Sequence, residues 1–259
     1  MKLIRFTYID EESYGYLREN VVEVLNGSFV DGFIPTGEEI GLTKVKLLSP
    51  VMPSKTVCVG MNYLDHIKEL GSDIPEEPVL FLKPTTAVIG PCDSIILPAI
   101  SKRVDYEGEL AIVIGKRARH LSEENALDCV FGYTCANDVT ARDLQKKDGQ
   151  WARCKGFDTF LPIGPCIETK LDAGALTIRT MLNGKVEQDS NTNQLLFKIP
   201  KLISFITECM TLEPGDVILT GTSSGVGPIA SGDTVSVEIE GIGTLENTAV
   251  YGYDDKFSR

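Results

Sequence analysis

Carboxylates and a single well-placed histidine are the residues of this chain whose types and spacing suggest chemistry. In Val104-Asp105-Tyr106-Glu107-Gly108-Glu109-Leu110 an extended backbone sends alternate side chains to opposite faces, so Asp105, Glu107 and Glu109 share one face. Neighbouring acids repel unless positive charge lies between them, and a hard divalent cation such as Mg2+ or Mn2+ prefers such oxygen ligands. A solvated strand face is the competing account. The apolar run Leu110-Ala111-Ile112-Val113-Ile114 weighs against it, and Gly108 permits close approach of a ligand or backbone. Asp138, just after an apolar run, offers a third oxygen at a strand end, or else a cap for the polar stretch that follows.

The chain holds two histidines, so imidazole chemistry must use His66 or His120. If the segment around His66 is helical, His66 and Glu69 are i, i+3 neighbours. A carboxylate there raises imidazole basicity and fixes its tautomer, as a general base requires; the same spacing also fits an exposed helical histidine with a chance acidic neighbour. His120, in Arg117-Ala118-Arg119-His120, reads as a surface residue. Lys155 lies among aromatic and small residues, where it is held near a carboxylate or enolate or else snorkels at the surface. Arg142 and Gln145, three apart, have similarly mixed readings.

The elements that must position these groups are mostly strands. Leu110–Ile114, Leu176–Leu182, Val217–Thr220, Thr234–Glu240 and Gly243–Val250 read as strands, with a hairpin at Gly241-Ile242-Gly243. Leu202, Phe205, Ile206, Cys209 and Met210 define one face of a helix starting near Pro200, and Ser122-Glu123-Glu124 resembles a second helix start. Residues 1–50 read as a small β-rich N-terminal domain, with a strand at Val21–Leu25 turning at Asn26-Gly27, and residues 51–259 as a larger catalytic domain. The absence of βαβ alternation argues against a Rossmann fold. The Gly221–Gly227 loop lacks the Lys-Ser/Thr ending of a phosphate loop.

Composition narrows the partners. With 37 Asp+Glu against 25 Lys+Arg, a net charge of −12, the chain is a poor nucleic-acid binder. No apolar run reaches the ~18–20 residues needed to cross a bilayer, and the start has no apolar signal core, so a cytoplasmic protein without membrane contact is expected. Seven cysteines, an odd number without a C-x-x-C pair, are expected as buried free thiols.

Taken in order, Val-Gly-Met-Asn-Tyr-Leu-Asp-His (59–66), Phe-Leu-Lys-Pro (81–84), Asp-Tyr-Glu-Gly-Glu-Leu (105–110), Asn-Asp-Val-Thr-Ala-Arg-Asp-Leu-Gln (137–145), Lys-Gly-Phe-Asp (155–158), Asn-Gly (183–184) and Gly-Thr-Ser-Ser-Gly-Val-Gly (221–227) resemble the fumarylacetoacetate hydrolase family in its short form. The resemblance implies a mainly β fold with a few helices: a mixed β-roll/β-sandwich catalytic domain with a small N-terminal domain, usually as a homodimer. It implies Glu107, Glu109 and Asp138 as ligands of Mg2+ or Mn2+, His66 and Glu69 as a water-activating dyad, and Lys155 at the substrate. Arg142, Gln145 and Thr222 match substrate-contacting positions. Ser223 replaces the proline usual in the Gly-rich loop, which is expected to loosen it. Val59 stands where longer members carry a further metal-binding aspartate, so three protein carboxylates are expected.

The leading expectation is hydrolysis of a C–C bond in an acylpyruvate-like 2,4-dioxo acid, with the metal and Lys155 stabilising a pyruvate enolate. The alternatives are isomerisation of an unsaturated 2-hydroxy or 2-oxo dicarboxylate of the 2-hydroxyhepta-2,4-diene-1,7-dioate type, and decarboxylation or tautomerisation of oxaloacetate. A metal-stabilised binding protein is the non-enzymatic alternative. Gly71–Pro78, directly after the dyad, is expected to act as a lid.

Overall fold

The computed structural model describes residues 1–252; residues 253–259 of the expected 51–259 unit lie outside the described residues. The main path of a twelve-stranded sheet runs Gly32–Gly41, Val21–Ser28, Glu11–Arg18, Lys2–Tyr8, Leu161–Glu168, Val130–Asn137, Gly108–Ile114, Val217–Thr222, Thr56–Gly60, Val79–Lys83. A five-stranded sheet is ordered Lys185–Asn191, Thr177–Leu182, Thr234–Ile239, Gly243–Tyr251, Ile95–Leu97. A small third sheet joins Thr140–Ala141, Val104–Tyr106 and Gly227–Ile229. The four α-helices of the described residues are short: α1 (Leu64–Leu70), α2 (Arg142–Asp148), α3 (Ala152–Lys155) and α4 (Ile199–Cys209). The mainly β architecture with few helices is as expected.

Gly108–Ile114 lies inside the large sheet and is buried along its whole length. Its alternation divides it between two cores. Leu110, Ile112 and Ile114 pack into one apolar cluster, and Ala111 and Val113 into another. A strand covered on both faces needs no polar alternation, which is why its sequence reads as an unbroken apolar run. The strands of the first 48 residues continue the same sheet, joined to it through Lys2 opposite Glu168 and Leu3 opposite Ile167.

Several expected details change. Asp105, Glu107 and Glu109 do not lie on one continuous strand. The chain switches sheets at Glu107: Val104–Tyr106 pairs with Thr140–Ala141 and Gly227–Ile229, whereas Gly108–Ile114 pairs in the large sheet. The strand from Val21 runs through Asn26-Gly27 to Ser28. Gly27, at φ 114°, brings the partner backbone so close that a Cβ would sit 1.9 Å from the Gly32 carbonyl oxygen. The turn falls instead at residues 29–31, where the Ser28 hydroxyl accepts from the amides of Val30 and Asp31.

The buried face of α4 includes Ile199, Leu202, Ile203 and Ile206, while Phe205 is half-buried and Cys209 is exposed. The Ser122 segment forms a 3-10 helix over Glu123–Cys129, and the Ser122 hydroxyl accepts from the Asn125 side chain rather than from a backbone amide. All seven cysteines are free, as expected, but Cys92 and Cys209 are exposed. Among the described residues no helix is long and apolar enough to cross a membrane.

Candidate active site

Glu107, Glu109 and Asp138 each place a carboxylate oxygen within 4.8 Å of the others, and all three are buried. Backbone pairing builds this convergence. Glu109 lies opposite Ala136 on the neighbouring strand, which ends at Asn137, one residue before Asp138. The Asp138 amide donates to the Glu107 carbonyl at 2.8 Å, and the Asn137 side chain accepts from the Glu107 amide at 2.9 Å. Residues thirty apart in order are thereby clamped side by side at the switch between sheets.

Three buried cations answer these acids. Lys155 Nζ donates to Glu107 Oε2 and to Asp138 Oδ2, each at 2.6 Å. Arg142 pairs with Glu107, with Asp105 at 2.9 Å, and with the Gln145 side-chain Oε1 at 2.7 Å. Lys83 Nζ lies 2.8 Å from Asp138 Oδ1, yet it donates to the backbone carbonyls of Val139, Lys155 and Phe160. Asp138 Oδ1 therefore faces a charge with no proton aimed at it, and among the described residues it is buried without a hydrogen-bond partner.

Burial pushes the Glu107 carboxyl up, but Lys155 and Arg142 outweigh it and hold the group below its ordinary value. Burial, then Asp138 and Glu107, push Glu109 well above its own. Desolvation alone would lower Lys155, and the charges of Asp138 and Glu107 raise it instead. A hard divalent cation fits this set: the donors are all carboxylate oxygens, and among the described residues Asp138 Oδ1 has no hydrogen bond and Glu109 no ion-pair partner.

The dyad forms. His66 Nδ1 and Glu69 Oε2 are 2.9 Å apart on α1. With a carboxylate as partner, Nδ1 carries the proton and Nε2 is left as the basic nitrogen. The other Glu69 oxygen accepts from the Gly225 amide at 3.0 Å. Asp65, which the sequence reading passed over, ties the same helix to the same loop by accepting from the Ser224 hydroxyl at 2.8 Å. The Gln188 amide donates to the Ser223 carbonyl and the Thr222 hydroxyl, each at 2.8 Å. The loop expected to be looser without proline is thus hydrogen-bonded at four successive residues, 222–225.

One cavity of about 230 Å³ joins these groups. Among the residues lining it are all nine expected at the site except Glu69, which stands behind His66: Glu107, Glu109, Asp138, His66, Lys155, Arg142, Gln145 and Thr222. Val59 lines it too, as an apolar wall. The expected partnership of Asp105 with the acidic trio does not form. Its buried carboxylate is bound by Arg103 and Arg142, so it orients Arg142 instead. Thr222 spends its hydroxyl on the Gly108 carbonyl at 2.9 Å. Lys83 went unrecognised as a site residue, although it lies in the Phe-Leu-Lys-Pro stretch and ends the otherwise apolar Val79-Leu80-Phe81-Leu82. Gln188 carries no signal at all.

The chain belongs to the fumarylacetoacetate hydrolase family. Residues 55–250 match the fumarylacetoacetate (FAA) hydrolase C-terminal family, and residues 1–50 match the Rv2993c-like N-terminal family. The solved 2-hydroxyhepta-2,4-diene-1,7-dioate isomerase of Mycobacterium marinum is 44% identical, with a TM-score of 0.91 over 98% of this chain and 100% of that one. The mitochondrial oxaloacetate tautomerase of Xenopus laevis is 46% identical over 80% of this chain and 69% of its own. The maleylpyruvate hydrolase of Sphingobium sp. SYK-6, solved with manganese(II) and pyruvate, is 31% identical, with a TM-score of 0.82 over 98% and 100% of the two chains. Its similarity to isomerase, tautomerase and hydrolase alike supports an enzyme.

Proposed function

We propose that this protein is a Mg2+- or Mn2+-dependent enzyme that interconverts enol and keto forms of a small 2-oxo acid. The observation that carries this reading is the His66–Glu69 pair, 2.9 Å apart, beside the cavity that Glu107, Glu109 and Asp138 line. A divalent cation held by those carboxylates would supply positive charge where negative charge develops on the substrate. His66 Nε2 accepts the proton leaving the enol oxygen or C3 and returns it to the other atom. Glu69 stabilises the imidazolium formed between the two steps.

Lys155 holds Glu107 and Asp138 against their mutual repulsion. Phe81 and Trp151, edge to face with ring centroids 5.2 Å apart, wall the cavity against water and strengthen every charge inside it. Closure of Gly71–Pro78, whose Ser72 lines the cavity, completes the exclusion. Tautomerisation asks for one base and no placed water, and the isomerase and tautomerase relatives at 44% and 46% identity support it.

The second reading is the hydrolysis that the sequence first suggested, favoured by the pyruvate-bound hydrolase relative. There His66 takes a proton from water, the hydroxide adds to the distal carbonyl, and the C–C bond breaks to give a carboxylic acid and pyruvate. Parallel assays with added Mg2+ or Mn2+ separate the two. Loss of oxaloacetate enol absorbance without pyruvate release is expected. Faster release of pyruvate from an acylpyruvate would establish hydrolysis instead, and no turnover of either compound would refute both.

A further inference from the structure

Glu69 lies in the last turn of α1, and about a third of its side chain meets solvent. A long side chain so placed keeps its rotamer freedom unless both ends are tied. One oxygen is taken by His66 Nδ1, and the other accepts from the Gly225 amide. Gly225 is a loose anchor in itself, since glycine has the widest backbone freedom of any residue. It sits at φ 96°, and a Cβ there would lie 2.1 Å from the Glu187 carbonyl oxygen, so no stiffer residue fits. The Tyr106 hydroxyl supplies the stiffness by donating to the Gly225 carbonyl at 2.9 Å. Tyr106 is 2% exposed, and its strand is paired on both sides, with Tyr106 itself opposite Gly227. Burial, then Glu187, Asp105 and Glu69, push the phenol up to about 12, so it remains a donor at neutral pH. Its chain neighbours are engaged on the other side of the cavity: Asp105 binds Arg142, and Glu107 belongs to the carboxylate trio.

We infer that Tyr106 is a positioning residue for the dyad: its hydroxyl holds the Gly225 peptide, whose amide holds Glu69 behind His66. This rests on the reading of His66 and Glu69 as a base and its partner, and adds what keeps them in place. Because Tyr106 is bonded in the chain to Glu107, the same residue fixes how far the basic nitrogen stands from the carboxylate trio. Tyr106 does not line the cavity, so it acts through Gly225 and Glu69 and takes no part in proton transfer.

The chain holds only two imidazoles, so NMR of the full-length protein labelled with 15N-histidine, with Mg2+ present, reads His66 directly. At a pH where the ring is neutral, wild-type His66 should carry its proton on Nδ1. Glu69→Ala gives the signature of a ring left unheld. Tyr106→Phe removes one oxygen and keeps the buried ring; it should move the His66 signal part of the way toward that signature, and should add nothing in the double variant. In the enol–keto assay Tyr106→Phe should lower kcat about tenfold with KM within about twofold. Mn2+ affinity should stay at the wild-type value, and the melting temperature should fall by only about 2–4 °C, the worth of one hydrogen bond in a chain of this size. A merely structural tyrosine would lower the melting temperature and leave the His66 signal and kcat unchanged, which would overturn the inference. Additive losses in the double variant would overturn it too. So would fast hydrogen exchange of the Gly225 amide in wild-type protein, a measurement that needs no variant. Wild-type His66 with its proton on Nε2 would instead defeat the reading of the dyad on which the inference rests.

Discussion

His66 and Lys83 show how differently two buried polar residues serve one site. His66 is held through Nδ1, which leaves Nε2 for the proposed proton transfer. His66→Ala should lower kcat by about 10²–10⁴-fold, the usual worth of a general base, with cation binding retained. Activity within a few-fold of wild type would remove the dyad from the reaction. Lys83 is fully buried and joins Asp138 to the carbonyls of Val139, Lys155 and Phe160. Lys83→Met leaves a carboxylate and three carbonyls without their cation. A loss of about 3–5 kcal/mol in stability is expected, the cost of stripping one partner from a buried pair, read from denaturant unfolding. The acids and the histidine were legible in the sequence because their chemistry resides in residue type. Lys83 and Asp105 were not, since what they do depends on which distant groups the fold brings against them.

At the scale of elements, the contact between α1 and the Gly-rich loop sets the dyad. Asp65 accepts from Ser224 and from the His66 amide, the latter also at 2.8 Å. Asp65→Ala should reduce kcat about tenfold, the effect of a misplaced catalytic group, while stability falls by only about 1 kcal/mol; steady-state kinetics alongside thermal unfolding checks both.

Gly221 is the other fixed point. At φ 100° its amide donates to Glu109 at 2.6 Å, and a Cβ would sit 2.8 Å from Asn62 Cβ. Gly221→Ala should cost about 1–3 kcal/mol through backbone strain and weaken cation binding in the same protein. The pairing of His66 with Glu69 was legible only on the condition that their segment is helical, and helix α1 meets that condition. The buried face of α4 was misplaced because the rows 202, 205, 206, 209 and 199, 202, 203, 206 both fit the 3.6-residue period, and only packing chooses between them. The strand break at Glu107 was hidden for a similar reason: alternation describes a single strand, and the change of sheet is imposed by the partners of Val104–Tyr106.

For the whole molecule, the interior carries more acid than its own cations settle, and the carboxylates come from the junction of the large sheet with the small one. A divalent cation that binds there binds only the folded chain and must stabilise it. At one hundred times its dissociation constant, Mn2+ should add about 2.7 kcal/mol, raising the melting temperature, and excess chelator should reverse the shift. The mainly β class and the order of motifs were legible in the sequence, whereas which strands meet at the site was settled by long-range register.

The central claim is that Glu107, Glu109 and Asp138 jointly hold one divalent cation, and titration of Mn2+ into wild-type and Glu109→Gln protein tests it most directly. One bound ion per wild-type chain is expected, with affinity at least about tenfold weaker in Glu109→Gln, the loss of one charged ligand. Equal affinity in the two proteins, or no saturable binding to the wild type, would contradict it.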